Sequence, residues 1–202
     1  MMQKLRAWSL AIMLGSLLFV PSAVYAVRNQ ILGEIRFYGL TGAERTAGVW
    51  VDGRYLGYVD ELKGSKKVVL LPGEHQFTFK QTGYQPFVRT FTVEPGEKQN
   101  YLIWMARDTG AQYPTNPAEV KIAVHPRRAA VFVDNHFVGH VGEFEGPGRA
   151  MLLSPGKHHF RIALPGYQSF DTEVNLLANQ RFELKTNLFG GDITQTDPVL
   201  KQ

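Results

Sequence analysis

His136, His140, His158 and His159 are the side chains of this sequence best suited to hold a metal ion. A zinc site needs three or four convergent ligands. The spacing His136-x-x-x-His140 suits a helix, yet both residues stand in a strand pattern, where residues four apart are separated by about 13 Å. His158 has a counterpart in His75, so its position belongs to a repeated architecture. Ser65, Ser154 and Ser169 lie in turn-like or strand-edge contexts, and no Gly-x-Ser-x-Gly is present. A serine nucleophile needs a base and an oxyanion hole in fixed geometry. Asp52 and Asp134 recur at hairpin corners, where the expected role of the carboxylate is to cap its own turn. No catalytic residue, metal site or cofactor is expected, and the chain is not read as an enzyme.

The aromatic residues are the remaining candidates. With Val49 and Val51 pointing into a core, the two-residue period of a strand points Trp50 outward, and Phe132 takes the same place later in the chain. Tyr55, Tyr58 and Phe137 pose the same question. Outward rings can stack on sugars or anchor a protein partner, and they can equally fill the interface between two copies of a module. Trp50, Tyr55, Tyr58, Phe132 and Phe137 are therefore the candidate ligand or partner contacts.

The elements that position these residues come in duplicate. The stretch AGVWVDGRYLGYV, from Ala47, meets AAVFVDNHFVGHV, from Ala129, with Val49, Val51, Asp52, Gly57 and Val59 recurring at one offset. After a one-residue insertion, Leu70, Pro72, Gly73, His75, Phe77, Gly83, Tyr84, Gln85 and Phe87 return as Leu153, Pro155, Gly156, His158, Phe160, Gly166, Tyr167, Gln168 and Phe170. Register kept over that length is an internal duplication. Apolar residues within each copy alternate with a period of two, and no helical stripe follows residue 26. Short strands separated by Gly, Pro, Asp and Asn predict two tandem β-sandwiches, an all-β fold. Asp52-Gly53 is a two-residue hairpin turn needing positive φ at both positions, and Asn135 replaces the glycine in the second copy with the side chain that best tolerates it. Tyr84 and Tyr167 each follow a turn glycine, which predicts corner tyrosines whose hydroxyls satisfy a backbone group.

At the N-terminus, Lys4 and Arg6 precede an apolar run from Ala7 to Val20, then Pro21 and small residues ending at Ala26. That order predicts a secretory signal peptide over 1–26, with an uncleaved anchor as the alternative. Domains are expected at 31–105 and 119–188, with a proline-bearing linker at 106–118 and a flexible tail at 189–202. The formal charge of +4 includes the two basic residues of the leader, so no nucleic-acid partner is expected. The chain has no cysteine. Disulfides, thiolate metal ligands and a lipid-accepting cysteine are thereby excluded, and stable membrane insertion after cleavage is not expected.

The pattern Val-Asp-Gly, a glycine four residues later, Leu-x-Pro-Gly-x-His and Gly-Tyr-x-x-Phe resembles the PEGA domain, a small β-sandwich of prokaryotic cell-surface and envelope proteins. The resemblance covers about Gly48 to Met105 and Ala130 to Leu188. The namesake Pro-Glu-Gly-Ala tetrapeptide is absent: the copies read Pro72-Gly73-Glu74-His75 and Pro155-Gly156-Lys157-His158. What the resemblance implies is a non-catalytic binding or spacer module, without a common ligand. The expectation is an exported protein of the periplasm or cell surface that recognises an envelope protein partner, with binding of cell-wall glycan through the outward aromatics as the alternative.

Overall fold

The computed structural model describes residues 31–110 and 112–191. The expected signal peptide and residues 192–202 of the expected tail lie outside the described residues. The first half contains β1 (Gly33–Gly39), α1 (Gly42–Thr46), β2 (Gly48–Val51), β3 (Arg54–Tyr58), β4 (Val68–Leu70), β5 (Gly73–Lys80), β6 (Phe87–Val93) and β7 (Lys98–Ile103). The second contains β8 (Ala118–His125), β9 (Ala130–Val133), β10 (His136–His140), α2 (Val141–Phe144), β11 (Met151–Leu153), β12 (Gly156–Ala163), β13 (Phe170–Leu176) and β14 (Arg181–Asn187). The fold is all-β, as the period-two patterning requires.

Each half is built from the same two sheets. The orders are β4-β1-β7 with β3-β2-β5-β6 in the first, and β11-β8-β14 with β10-β9-β12-β13 in the second. The first and last strands of each half, β1 with β7 and β8 with β14, pair in parallel. That closure brings the two ends of a copy together, a long-range pairing that local pattern does not announce. Ile35, Phe37, Val49, Val51, Phe77 and Phe79 fill the first core. Ile122, Val131, Val133, Phe160 and Ile162 fill the second. In the first, Phe37 meets Phe77 and Phe79 edge-on at 5.2 and 5.0 Å, the offset geometry that ring quadrupoles favour.

Turn chemistry follows the sequence. Asp52 and Gly53 have φ of 48° and 75°, and Asp134 and Asn135 have 50° and 66°, so both hairpins take the left-handed pair that matches strand twist. Two residue pairs past each turn the ladder slips, between Val49 and Trp50 in the β2/β3 pairing and between Phe137 and Gly139 in the β9/β10 pairing. Gly57 and Gly139 sit at these bulges with φ of 155° and 148°, a region that other residues rarely enter.

Three boundaries differ from the sequence reading. Residues 106–118 are not wholly a linker: Arg107 bridges Tyr84, the Asp108 amide donates to the Gly83 carbonyl, and Ala118 already belongs to β8. The tail begins later than 189, since Gln168 N donates to the Phe189 carbonyl and Gly191 N to that of Gly166. These backbone clasps at Tyr84 and Tyr167 secure the corners for which tyrosine hydroxyls were expected. Helix α1 is held by the buried Glu44, whose carboxylate accepts from the amides of Leu40 and Thr41 at 2.8 Å and of Met105 at 3.3 Å. Burial alone would raise this carboxyl, and the amides hold it below its ordinary range instead. Among the described residues, no helix is long and apolar enough to cross a membrane.

Candidate functional site

Trp50 does point away from Val49 and Val51, as strand parity demands, but it does not reach solvent. Trp50, Tyr55 and Phe132 are fully or almost fully buried and belong to one cluster with the core of the second half. The expectation of solvent-facing stacking platforms is therefore corrected: the other copy covers the rings. Phe137 meets the Trp50 ring edge-on at 4.9 Å, Tyr55 lies 5.0 Å from Trp50, and Phe132 meets Phe137 at 5.8 Å. Tyr58 stacks on His140 with ring centroids 3.8 Å apart and an interplanar angle of 7°. The structure thus brings all five candidate aromatics together at the junction of the halves.

The junction has an approximate two-fold logic. Trp50 is the repeat equivalent of Phe132, Tyr55 of Phe137, and Tyr58 of His140, so each copy contributes the same patch to the contact, as in an isologous dimer. Polar contacts frame it. Tyr55 Oη donates to the Arg128 carbonyl at 3.2 Å, Thr82 Oγ to the Val138 carbonyl at 2.6 Å, and Gln81 Nε2 to Glu143 Oε2 at 2.7 Å. Glycine makes room for one ring: a Cβ on Gly48 would stand 2.7 Å from Phe137 Cζ and 2.9 Å from the Trp50 ring.

The Asp-His pairs form a second repeated constellation. His75 Nδ1 lies 2.6 Å from Asp52 Oδ2 and its Nε2 2.9 Å from the Leu71 carbonyl, while the Gln76 amide donates to Asp52 Oδ1. His158 repeats this with Asp134 at 2.7 Å and the Ser154 carbonyl at 2.9 Å, and the His159 amide donates to Asp134. Each aspartate therefore ties its hairpin to the neighbouring long strand rather than capping its own turn. Ser154 Oγ is 3.5 Å from His158 Nε2, which gives the outline of a Ser-His-Asp triad. The outline fails chemically, because a general base must present a free lone pair to the serine. Here both ring nitrogens face acceptors, so both are used as donors, and the first copy builds the same pair with Leu71 in the serine's place.

Burial would depress His75 and His158, but hydrogen bonds to the aspartate and the carbonyl, and the aspartate's charge, hold both above the ordinary imidazole value. Asp52 and Asp134 are held below theirs despite partial burial. A raised imidazole contributes stability below its unfolded value of about 6.5 and loses it as pH rises through the folded value. The melting temperature should accordingly fall from pH 6 to pH 8, by a few degrees at most because the aspartates are half exposed. A His75→Gln, His158→Gln double variant should melt lower at pH 6 and show a flatter profile; an unchanged slope would remove the pairs from the account.

The other candidates scatter. His136 is exposed and bonds the Asp134 carbonyl, His140 is buried at the junction, and His159 faces Asp171 at 3.1 Å. Ser65 lies in a 3-10 turn, and Ser169 is exposed before β13. Among the described residues, no group of three or more His, Asp or Glu side chains is placed to hold a metal ion.

One surface escaped the sequence reading. On the outer side of the β4-β1-β7 sheet, Tyr38 pairs with Leu102 across the β1/β7 ladder, and Leu40 and Trp104 follow just beyond the strand ends. Trp104 is 67% exposed, Leu40 73%, Leu102 57% and Tyr38 45%. The register puts Ala123 opposite Lys185 and His125 opposite Asn187 at the equivalent places of the second half. Comparing the copies strand by strand would have found this difference, but the signal sits outside the conserved stretch that reveals the repeat.

Residues 118–190 match the family model of the PEGA domain. The second half of the chain is therefore similar to the PEGA domain. Its match runs from the first residue of β8 to the Gly190 bridge with Tyr167, the whole sandwich of the second half. No curated protein matches the chain. Among solved structures, the chain is similar to the Bacillus anthracis TIE protein, with 12% identity and a TM-score of 0.28 over 79% of this chain and 34% of that one. It is also similar to the shaft pilin SpaA of Lactobacillus rhamnosus GG, with 8% identity and a TM-score of 0.23 over 80% of this chain and 98% of that one. The chain spans about a third of the length of the TIE protein.

Proposed function

We propose that this chain is an exported, non-catalytic module of the cell envelope, in which two PEGA-type sandwiches locked together present the outer face of the first to a protein partner. The observation that carries this reading is the difference between two equivalent faces. Where the second half shows Ala123, His125, Lys185 and Asn187, the first shows Tyr38, Leu40, Leu102 and Trp104, all exposed. The fold places the same demands on both faces, so the apolar set answers to something other than folding. A contiguous exposed patch with tryptophan and tyrosine beside leucines has the composition of a protein-binding hot spot. The N-terminal order of charged, apolar and small residues supports export. Non-catalytic action is supported by the donor-only use of His158 and by the PEGA match.

Glycan binding through Trp50, Tyr55, Tyr58, Phe132 and Phe137 would require the halves to part. An exposed Trp104, on the face where the Tyr38 hydroxyl meets Asn100 Oδ1, keeps a sugar within the reach of the same test. A photo-crosslinking amino acid is placed at residue 102 in living cells, with residue 185 as the matched control. A reproducible protein adduct at 102 that is missing at 185, and is lost on Trp104→Ser, is the expected result. Equal adducts at both positions, or none at 102 while the chain co-sediments with cell-wall glycan through Trp104, would overturn the protein-partner reading.

A further inference from the structure

His140 occupies an unusual place for a histidine. Its ring is buried at the junction, lies flat on Tyr58 at 3.8 Å, and has no hydrogen-bond partner on either nitrogen among the described residues. A neutral imidazole stacks on a phenol at little cost, whereas an imidazolium enclosed there would be cut off from solvent, with only the Arg127 carbonyl and the already engaged Glu143 carboxylate near it. The groups facing it are Tyr58 and Asp60 at the end of β3, Arg127 before β9, Glu143 on α2 and Arg149 before β11. Two of these are cations that oppose a further positive charge. Of the two carboxylates, Asp60 and Glu143, Glu143 sits 3.5 Å from Nε2 and is engaged by Gln81 and by the His140 amide.

We propose that the His140-Tyr58 stack is an acid-sensitive latch: it holds the two halves together while the imidazole is neutral and releases them when the ring takes a proton. Burial first, and then the charges of Arg127 and Arg149, push the imidazole down to about 4, against the Arg127 backbone carbonyl, which works the other way. Once the halves part, Tyr58 no longer covers the ring and its burial is relieved, so it moves back toward its ordinary value of about 6.5, while Arg127 and Arg149 of its own half stay near it. The open form therefore gains protons more readily, and the ratio of open to closed should rise by at most about 100-fold between pH 7 and pH 4. Glu143 works in the opposite sense, because burial raises its carboxyl in the closed form and its protonation favours closure. The Asp-His pairs stay charged over most of this range, so each sandwich keeps its hairpin corner while the junction loosens.

The chain supplies its own reporter. Its three tryptophans are Trp8, Trp50 and Trp104, and replacing Trp8 and Trp104 by Phe leaves the one fully buried at the junction. In that background, Trp50 emission should shift to the red and acrylamide quenching should rise from pH 7 to pH 4 while the far-ultraviolet dichroism of the strands is retained. His140→Tyr restores the residue that the first copy uses at this place, preserves the stack and cannot titrate here, so its signal should stay flat. His140→Phe serves the same purpose should the tyrosine variant not fold. Glu143→Gln, which removes the opposing group, should steepen the response. A flat Trp50 signal down to pH 4 would overturn the latch. So would an unchanged transition in the His140 variants, or its loss in Glu143→Gln.

Discussion

Trp50→Ala should lower the stability of the chain by about 3–5 kcal/mol, the usual cost of emptying a buried aromatic site, and the loss should fall on both halves. Trp50 grows from β2 of the first half, yet its ring is packed in the cluster of the second. Removing it opens a cavity between sandwiches rather than inside one. Phe137 loses its edge-on partner, worth about 0.5–1.5 kcal/mol beyond area, and Tyr55 loses the ring 5.0 Å away. Urea unfolding followed by circular dichroism should change from one transition to two, because each half keeps a core of its own. A single transition with an unchanged midpoint would mean that Trp50 carries no coupling.

Gly139→Ala is the second large effect, expected at about 2–4 kcal/mol. The glycine has φ of 148°, and an added Cβ would stand 2.8 Å from Glu143 Oε1 and 2.9 Å from Phe144 Cζ. Both neighbours are held where they stand: Glu143 is tied to Gln81 across the junction and to the His140 amide, and the half-buried Phe144 packs on the core. The equivalent Gly57 offers an internal comparison. Its φ is 155°, but its nearest neighbour would be Glu61 Oε2 at 3.1 Å, so Gly57→Ala should be destabilising by less. Thermal melts of the two variants side by side decide the point, and equal losses would show that backbone strain alone sets the cost.

Much of this architecture was legible because duplication exposes what each position is for. Val49 and Val51 returning as Val131 and Val133, with Asp52-Gly53 returning as Asp134-Asn135, specify strand, turn and handedness without any long-range information. The parallel closures of β1 on β7 and of β8 on β14 were not legible, because parallel pairing leaves no turn signature in the chain. Helix α1 lengthens the first copy between β1 and β2 and breaks the offset, which hides the match between Glu34 and Glu119 and between Arg36 and Lys121. Parity placed Trp50 and Phe132 correctly on the far side of their strands, but parity says nothing about what covers that side. The answer was the other copy, an interaction whose two partners each show the same patch. Trp104 was passed over for the opposite reason. It lies one residue beyond β7, past the reach of strand alternation, and its meaning emerges only when Asn187 is seen in its place in the second half.

The claim on which the account rests is that the two sandwiches form one rigid body through the Trp50, Tyr55, Phe132 and Phe137 cluster. Backbone ¹⁵N relaxation of the intact protein at pH 7 tests it most directly, by giving a rotational correlation time for each half. One shared tumbling time, of the size set by the whole chain, is expected for β1 to β7 and β8 to β14. Two shorter and different times, each fitting a lone sandwich, would contradict it.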